Sequence, residues 1–220
     1  MSLVGVFTVP GAQFPLTQVL GAVPNARVEI DRVAGDSHES DESDESSPAE
    51  AVFVFWAEAD SPDALDDFET YLRHEARTLD LTCLDSVDNQ RLYRLRWRVG
   101  DDDLVAPLVE LPGEFLSGVG TADACRLVVR FPEEAAYEEF VEWCERHNVP
   151  IEEARRYTSE SIQDLEAEGR ADFLSALFEV GVLDENATLE DLATALGVPA
   201  ESLPAGLDAL YQEVAAELSK

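Results

Sequence analysis

The chain has 220 residues, of which 47 are acidic and 15 are basic, so its formal net charge is −32. Hydrophobic residues make up 45% of the chain, which is enough to build packed cores and argues against global disorder. No apolar run reaches the length of a membrane span, and the N-terminal stretch lacks a basic leader and a cleavage site. These features predict a cytoplasmic protein.

The basic residues are almost all arginine, with Lys220 as the only lysine. A strongly acidic surface that is nearly free of lysine is typical of a protein adapted to a high-salt cytoplasm, where salt screens the self-repulsion. The alternative is a nucleic-acid mimic whose carboxylates replace phosphates. Because the acids are spread along the whole chain, we expect a halophilic protein whose charge says little about its partners.

The first part of the chain predicts strands and helices in the order βαββαβ. Alternating or continuous apolar runs indicate the strands, and 3.6-residue spacing indicates the helices. A helix over 61–76 has Ser61 at its cap position and Pro62 in its first turn. Residues 36–50 form an acidic insert without apolar periodicity, for which we expect a disordered loop. The other predicted elements are strands at 3–9, 27–33, 51–59 and 78–87 and a helix at 14–23.

The same order of elements then recurs: strand 91–99, short helix 103–111, hairpin strands 113–120 and 125–131, helix 132–148 and strand 149–157. The fold class that we predict is therefore α+β, with tandem ferredoxin-like βαββαβ modules at 1–88 and 89–157. Together they would form a sensor-like region over 1–157. One double-length α+β sheet domain is the alternative.

Residues 160–220 change from a period of two to a period of 3.6, which predicts an all-α helix-turn-helix domain after the modules. Helices are expected at 171–182, at 188–196 and from about residue 200 onward. A threonine caps the middle helix, leucines form its inner face, and a glycine makes the turn that follows. The predicted scaffold of the motif consists of Thr188, Leu192, Leu196, Gly197, Leu203 and Leu207.

Two predicted strands carry arginines at alternate positions. Alternation places Arg94 and Arg96 on one face of their strand and the aromatic Tyr93 and Trp97 on the other. RNA binding requires aromatic and basic side chains on the same open face, so this strand does not favour it. The arginines either pair with acids across the sheet or line an anion-binding or domain-docking surface. The candidate residues for a ligand or partner surface are Arg94, Arg96, Arg126 and Arg130.

Signatures of enzymes, nucleotide loops and metal sites are missing from the sequence. Cys144 and His147 lie three residues apart on one predicted helix, but no oxyanion donor accompanies them. We expect a buried thiol beside a surface histidine, and likewise buried, reduced thiols at Cys83 and Cys125. The sequence therefore predicts a non-enzymatic protein without catalytic residues, cofactor or metal.

Three stretches resemble the haloarchaeal bacterio-opsin-activator type of regulator, a family with a C-terminal helix-turn-helix of HTH type 10. They are RLYRLRW with LVELPGEFLSGVGTADACRLVVRFP, then ALFEVGVLDENATLEDLATALGV, and finally LYQEVAAEL. The most specific part is GVLDENATLEDLATALGV, residues 181–198. The resemblance implies a cytoplasmic, DNA-associated transcription regulator of an archaeal halophile.

The expected recognition helix departs from that family because it is acidic. Its outward positions are Glu201, Ser202, Ala205 and Asp208, none of which offers a cation to a phosphate or a bidentate donor to guanine. Two hypotheses follow. The chain is a transcription regulator that contacts promoter DNA weakly, or it is a non-DNA-binding regulatory protein whose degenerate helix-turn-helix binds a protein partner, such as a paralogous regulator. No membrane partner is expected, and the sequence leaves a homodimer open.

Overall fold

The computed structural model describes residues 3–35, 49–158, 174, 177, 188–196, 200 and 203. Eight strands in these ranges form one antiparallel sheet in the order β4-β5-β3-β2-β6-β7-β1-β8. The strands are β1 Leu3–Pro10, β2 Arg27–Gly35, β3 Glu50–Glu58, β4 Thr78–Val87, β5 Gln90–Arg98, β6 Glu114–Gly120, β7 Ala124–Phe131 and β8 Glu152–Thr158.

The α-helices in the described ranges lie within the spans that the sequence predicts. In the second helix, the Ser61 side chain accepts a hydrogen bond from the Ala64 amide at 3.3 Å, and Pro62 occupies the first turn. None of the helices in the described ranges combines the length and the apolar character that a membrane span requires. They are α1 Pro15–Leu20, α2 Pro62–His74, α3 Val105–Glu110, α4 Glu134–Arg146 and α5 Leu189–Leu196.

Helices α1 to α4 pack on one face of the sheet, which we call the helical face, and build one continuous apolar core there. Above β2 to β5, the ring of Phe55 lies 6.3 Å from that of Phe68 in α2 and 5.6 Å from that of Tyr93. Above the remaining strands, the ring of Phe7 lies 5.1 Å from that of Phe140 in α4. Burial of these large aromatic surfaces contributes to the stability of the core.

The prediction of tandem ferredoxin-like modules followed by an all-α domain was wrong, because the described chain is dominated by one sheet and exchanges strands within it. Strand β1 pairs with β7 and β8, in the half built by the later part of the chain. Strand β5 pairs with β3 and β4, in the half built by the earlier part. Neither half completes its sheet without a strand from the other. The C-terminal helix α5 lies against this sheet through a contact described below.

The two halves of the sheet meet at a short pairing of β2 with β6. Three positions are paired there, Val28 with Gly120, Glu29 with Val119 and Ile30 with Gly118. A Cβ atom at position 120 would lie 2.6 Å from the Thr17 Cγ2 atom and 3.0 Å from a Val28 methyl carbon. The close approach of α1 to this junction therefore requires glycine, because no side chain fits between them.

Candidate functional site

The sheet face away from α1–α4, called here the opposite face, carries all four arginines that the sequence singles out. On β5, Arg94 and Arg96 alternate with Tyr93, Leu95 and Trp97, and the latter three lie in the core. On β7, the register pairs Val4 with Arg130, Val6 with Val128 and Thr8 with Arg126, so these residues share the opposite face. The predicted alternation is therefore present in both strands.

The four arginines do not converge on one site. Strands β3, β2 and β6 separate β5 from β7, so the two pairs of arginines are about 19 Å apart at roughly 4.8 Å per strand. Arg96 lies 2.6 Å from the Glu50 carboxylate, and Arg94 lies 4.0 Å from that of Asp80. Pairing with acids across the sheet thus accounts for the arginines of β5.

One half of the opposite face is covered. Four apolar side chains of β1, β7 and β8 are buried there although they lie outside the main core, and four residues of the C-terminal part of the chain are also buried outside that core. Strands cannot cover their own face, so the cover comes from outside the sheet. We call the opposite face of β1, β6, β7 and β8 the covered half. Its buried apolar residues are Val4, Val6, Val128 and Tyr157, and those of the C-terminal part are Leu174, Leu177, Leu192 and Ala193.

Arg130 joins this face to helix α5. Its Nη1 atom donates a hydrogen bond to the Thr194 carbonyl oxygen at 2.6 Å, and its Nη2 atom pairs with the Glu114 carboxylate. A carbonyl near the C-terminal end of a helix carries a partial negative charge, so a guanidinium is a suitable partner for it. Arg130 is therefore a docking residue within the chain.

Helix α5 starts at a reciprocal cap. The Asp191 amide donates to the Thr188 Oγ1 atom at 3.3 Å, while the Thr188 amide and hydroxyl both donate to the Asp191 carboxylate at 2.7 Å. These bonds from Thr188 hold the pKa of Asp191 below its ordinary value. The sequence predicts the cap at Thr188 correctly, and it places Leu192 inward, where it is fully buried.

The other positions predicted for the motif are only partly described. Leu196 ends helix α5, and the Leu203 amide donates to the Ala200 carbonyl oxygen at 3.2 Å. The remaining scaffold and contact positions lie outside the described residues. They are Gly197 and Leu207 of the scaffold and Glu201, Ser202, Ala205 and Asp208 of the expected recognition helix.

The other half of the opposite face, on β2 to β5, is called the open half because its side chains keep access to solvent. Arg94 is 50% exposed there, and Val52, Val54 and Trp56 of β3 are each partly exposed. The aromatic and basic side chains of one strand point apart, as the sequence predicts. A neighbouring strand nevertheless brings Trp56 to the arginine face, which the sequence of β5 alone does not indicate.

The cysteines fit the expected structural roles except at the sheet edge. Cys125 and Cys144 are buried, and burial raises the pKa of the Cys144 thiol to about 12, so it stays protonated. His147 stacks on Trp143 with ring centroids 3.9 Å apart, and its Nδ1 atom contacts the Trp143 carbonyl oxygen. The Cys144 thiol is thus part of the packed interior, and the His147 imidazole packs on Trp143. The prediction of a buried Cys83 was wrong, because β4 is the edge strand and leaves it exposed.

A buried carboxylate that the sequence analysis missed anchors the loop after β5. The Asp103 side chain accepts hydrogen bonds from Trp97 Nε1 at 2.8 Å, Arg77 Nη1 at 3.0 Å and the Val105 amide at 3.1 Å. Asp102 beside it accepts from Arg77, and this bond lowers the pKa of the Asp102 carboxyl. Three donors satisfy the Asp103 carboxylate, so its role is to fix the loop between β5 and α3.

No known model of a protein family matches the chain, and no curated protein matches it either.

Proposed function

We propose that the protein is a transcription regulator of the bacterio-opsin-activator type, acting in the cytoplasm of a halophilic archaeon. The observation that carries this proposal is helix α5, which lies in the stretch of most specific resemblance. The Thr188–Asp191 cap fixes the start of the helix, and Arg130 holds the Thr194 carbonyl near its end. Helix α5 is therefore held in a defined position against the sheet, as a segment that presents contacts to a partner would require.

The charge of the C-terminal part bears on which partner is contacted. Residues 160–220 contain 14 acidic residues against Arg170 and Lys220. Affinity for DNA comes largely from cations that displace counterions from phosphates, and this contribution is already weak at high salt. Glu201 and Asp208 add to the negative charge of this part of the sequence, so direct contact with DNA is weak in our proposal. The acidic character favours a second candidate, in which the same segment binds a protein partner or a paralogous regulator.

Chromatin immunoprecipitation combined with binding of purified protein to the enriched DNA in multimolar KCl tests both candidates. We expect enrichment at discrete promoters in the cell. Sequence-selective binding by the pure protein would eliminate the partner hypothesis. Enrichment without binding in vitro would assign recruitment through a partner. A protein that enriches no promoter is not a transcription regulator, and the proposal would then be abandoned.

A pair of substitutions in α5 ties the result to this segment. Leu192→Asp places a carboxylate at a fully buried position and should release the helix from the sheet, which would abolish promoter enrichment. Glu190→Gln alters an exposed residue of the same helix and should leave enrichment unchanged. Equal enrichment by both variants would show that α5 has no part in recruitment.

A further inference from the structure

A cavity of about 290 Å³ opens on the open half of the opposite face, where β2, β3 and β5 lie side by side. Its residues occupy neighbouring register positions, since Arg27 pairs with Glu58, Glu29 with Trp56, and Glu58 with Gln90. The cavity lies at the small end of the range for binding sites of small molecules. Its lining consists of Arg27, Glu29, Asp31, Trp56, Glu58 and Gln90.

The charges around this cavity are not balanced within the protein. Three carboxylates face one guanidinium, and within the described ranges none of these four side chains forms an ion pair or a side-chain hydrogen bond. Burial raises the pKa of Asp31, and the charge of Glu29 raises it further. Every other strand-borne acid discussed above has an arginine partner, as Glu50 and Glu114 do. The cavity therefore carries more negative charge than its one guanidinium can balance.

The floor of the cavity is aromatic. Trp56 is only partly buried, whereas Trp97 lies in the core and Trp143 is stacked on His147. The face of an indole ring attracts a cation through its quadrupole, most strongly where solvent is partly excluded. The described arginines contribute one cation–π contact, that of Arg156 with Tyr137, so the Trp56 ring is not occupied in this way by a described side chain.

The carboxylates are not arranged for a metal ion. Within the described residues, no group of three or more His, Cys, Asp or Glu side chains is close enough to coordinate one metal. A hard divalent cation requires several oxygen ligands at 2.0–2.6 Å, whereas an alkylated cation is held by diffuse charge and an aromatic face. The lining thus suits an organic cation better than Mg²⁺ or Ca²⁺.

We propose that this cavity binds a small organic cation, with its ammonium or guanidinium group over the Trp56 ring and between the Glu29 and Glu58 carboxylates. Arg27 and Gln90 stand at the side of the cavity and would bind a polar or anionic tail of the same molecule. This site goes beyond the proposed function and does not rest on it, since the cavity lies on β2, β3 and β5, whereas α5 is held by Arg130 of β7.

Calorimetric titration of the full-length protein with choline and with agmatine tests the proposal for the ammonium and guanidinium classes. The neutral isostere of choline, 3,3-dimethylbutan-1-ol, reports how much of the affinity depends on charge, and MgCl₂ reports a metal site. We expect saturable binding of at least one organic cation, at least tenfold weaker binding of the neutral isostere, and no heat of binding from MgCl₂. Titrations at two KCl concentrations should show weaker binding at the higher one, because K⁺ competes for the carboxylates.

Two variants of the cavity have matched controls elsewhere on the surface. Trp56→Leu and Glu58→Gln should each weaken binding of the cation at least tenfold. Tyr71→Leu removes an exposed aromatic ring from α2, and Glu142→Gln removes an exposed carboxylate from α4, and both should bind like the unaltered protein. Circular dichroism establishes that all four variants are folded. Absence of binding by both cations, equal affinity for the neutral isostere, or undiminished affinity in Trp56→Leu would overturn the proposal.

Discussion

The covered and open halves of the opposite face are built from similar strands but meet different environments. In the covered half, Val6 and Val128 face each other across β1 and β7 and are at most 1% exposed, and Val128 lies between Arg126 and Arg130. In the open half, Val52 and Val54 lie beside Arg96 and Arg94 on β3 and β5 and remain partly exposed. Alternation of apolar and basic residues along a strand therefore does not determine whether its outer face is covered.

The difference lies in the charges that accompany the valines. In the covered half, Arg130 satisfies its charge with the Thr194 carbonyl oxygen and the Glu114 carboxylate, at the margin of the apolar patch. The open half carries Glu29 and Glu58 beside Trp56, and a cover there would have to desolvate these unpaired carboxylates. Burial of an unpaired charge costs more than burial of apolar surface returns, so this half stays accessible to small solutes.

The largest expected effect comes from placing a charge in the covered half. Val128→Asp buries a carboxylate at a position that is 0% exposed, between two strands and beneath the C-terminal cover. We expect the free energy of unfolding to fall by about 3 kcal/mol or more, because burial desolvates the new carboxylate and the flanking Arg130 is already bonded to Thr194 and Glu114. Chemical denaturation followed by circular dichroism in constant KCl measures the change.

Val54→Asp is the matched control on the open half. Position 54 is paired in register with Arg94, and its side chain is already partly exposed, so a carboxylate there is solvated and has a partner. We expect the free energy of unfolding to fall by about 1 kcal/mol, which is within the range of strand propensities. Similar losses from both substitutions would mean that the two halves do not differ in burial.

Local sequence signals were sufficient to predict individual elements of this fold. The helix predicted over 61–76 is α2, Pro62–His74, and the helix predicted over 132–148 is α4, Glu134–Arg146. In α2, the cap residue, the proline and the apolar spacing all specify the same helix, and each of them acts within a few residues. The arginine alternation of β5 and the Thr188 cap were predictable for the same reason.

Strand partnership could not be predicted, because it depends on residues far apart in the chain. Strands β1 and β5 occupy the same place in the two repeated orders of elements, so each could in principle pair with either set of neighbours. The exchange of the two strands converts two expected modules into one sheet. Because pairing depends on distant residues, the sequence did not predict that Trp56 shares a face with Arg94. For the same reason it did not predict that Cys83 lies exposed on the edge strand.

A smaller effect is expected from breaking the contact between the covered half and α5. Arg130→Ala removes a charge-assisted hydrogen bond to the Thr194 carbonyl oxygen, and we expect the local opening free energy of α5 to fall by about 1–2 kcal/mol. Amide hydrogen exchange of residues 189–196 measures this opening. Exchange in β3 should not change, because β3 lies in the other half of the sheet.

Arg94→Ala is the corresponding substitution on the open half. Arg94 is half-exposed and lies 4.0 Å from Asp80, so its ion pair should contribute less than about 1 kcal/mol. Exchange of the α5 amides should be the same in this variant as in the unaltered protein. Faster exchange in α5 after Arg94→Ala, or unchanged exchange after Arg130→Ala, would contradict the assignment of Arg130 as the docking residue.

The smallest effects concern two aspartates whose pKa values shift in opposite directions. In the open half, burial and then the Glu29 charge raise the pKa of Asp31 above 3.8, so folding favours its protonated form. The contribution of the Asp31 carboxyl to stability is present in full below pH 3.8, and it is lost as the pH rises through the raised pKa. At pH 7, Asp31→Asn should therefore increase the free energy of unfolding, and this gain should disappear in acid.

Asp191 at the start of α5 should behave in the opposite way. Hydrogen bonds from Thr188 lower its pKa below 3.8, so its stabilising contribution is present above pH 3.8 and is lost as the pH falls through the lowered value. At pH 7, Asp191→Asn should speed amide exchange in α5, because a neutral side chain accepts the two Thr188 hydrogen bonds less strongly and interacts less favourably with the helix N-terminus. Titration of the two carboxyl carbons by NMR, with denaturation at pH 7 and below pH 3, measures both aspartates. If the two substitutions changed stability in the same direction at pH 7, the opposite environments assigned to the cavity and to the helix cap would be wrong.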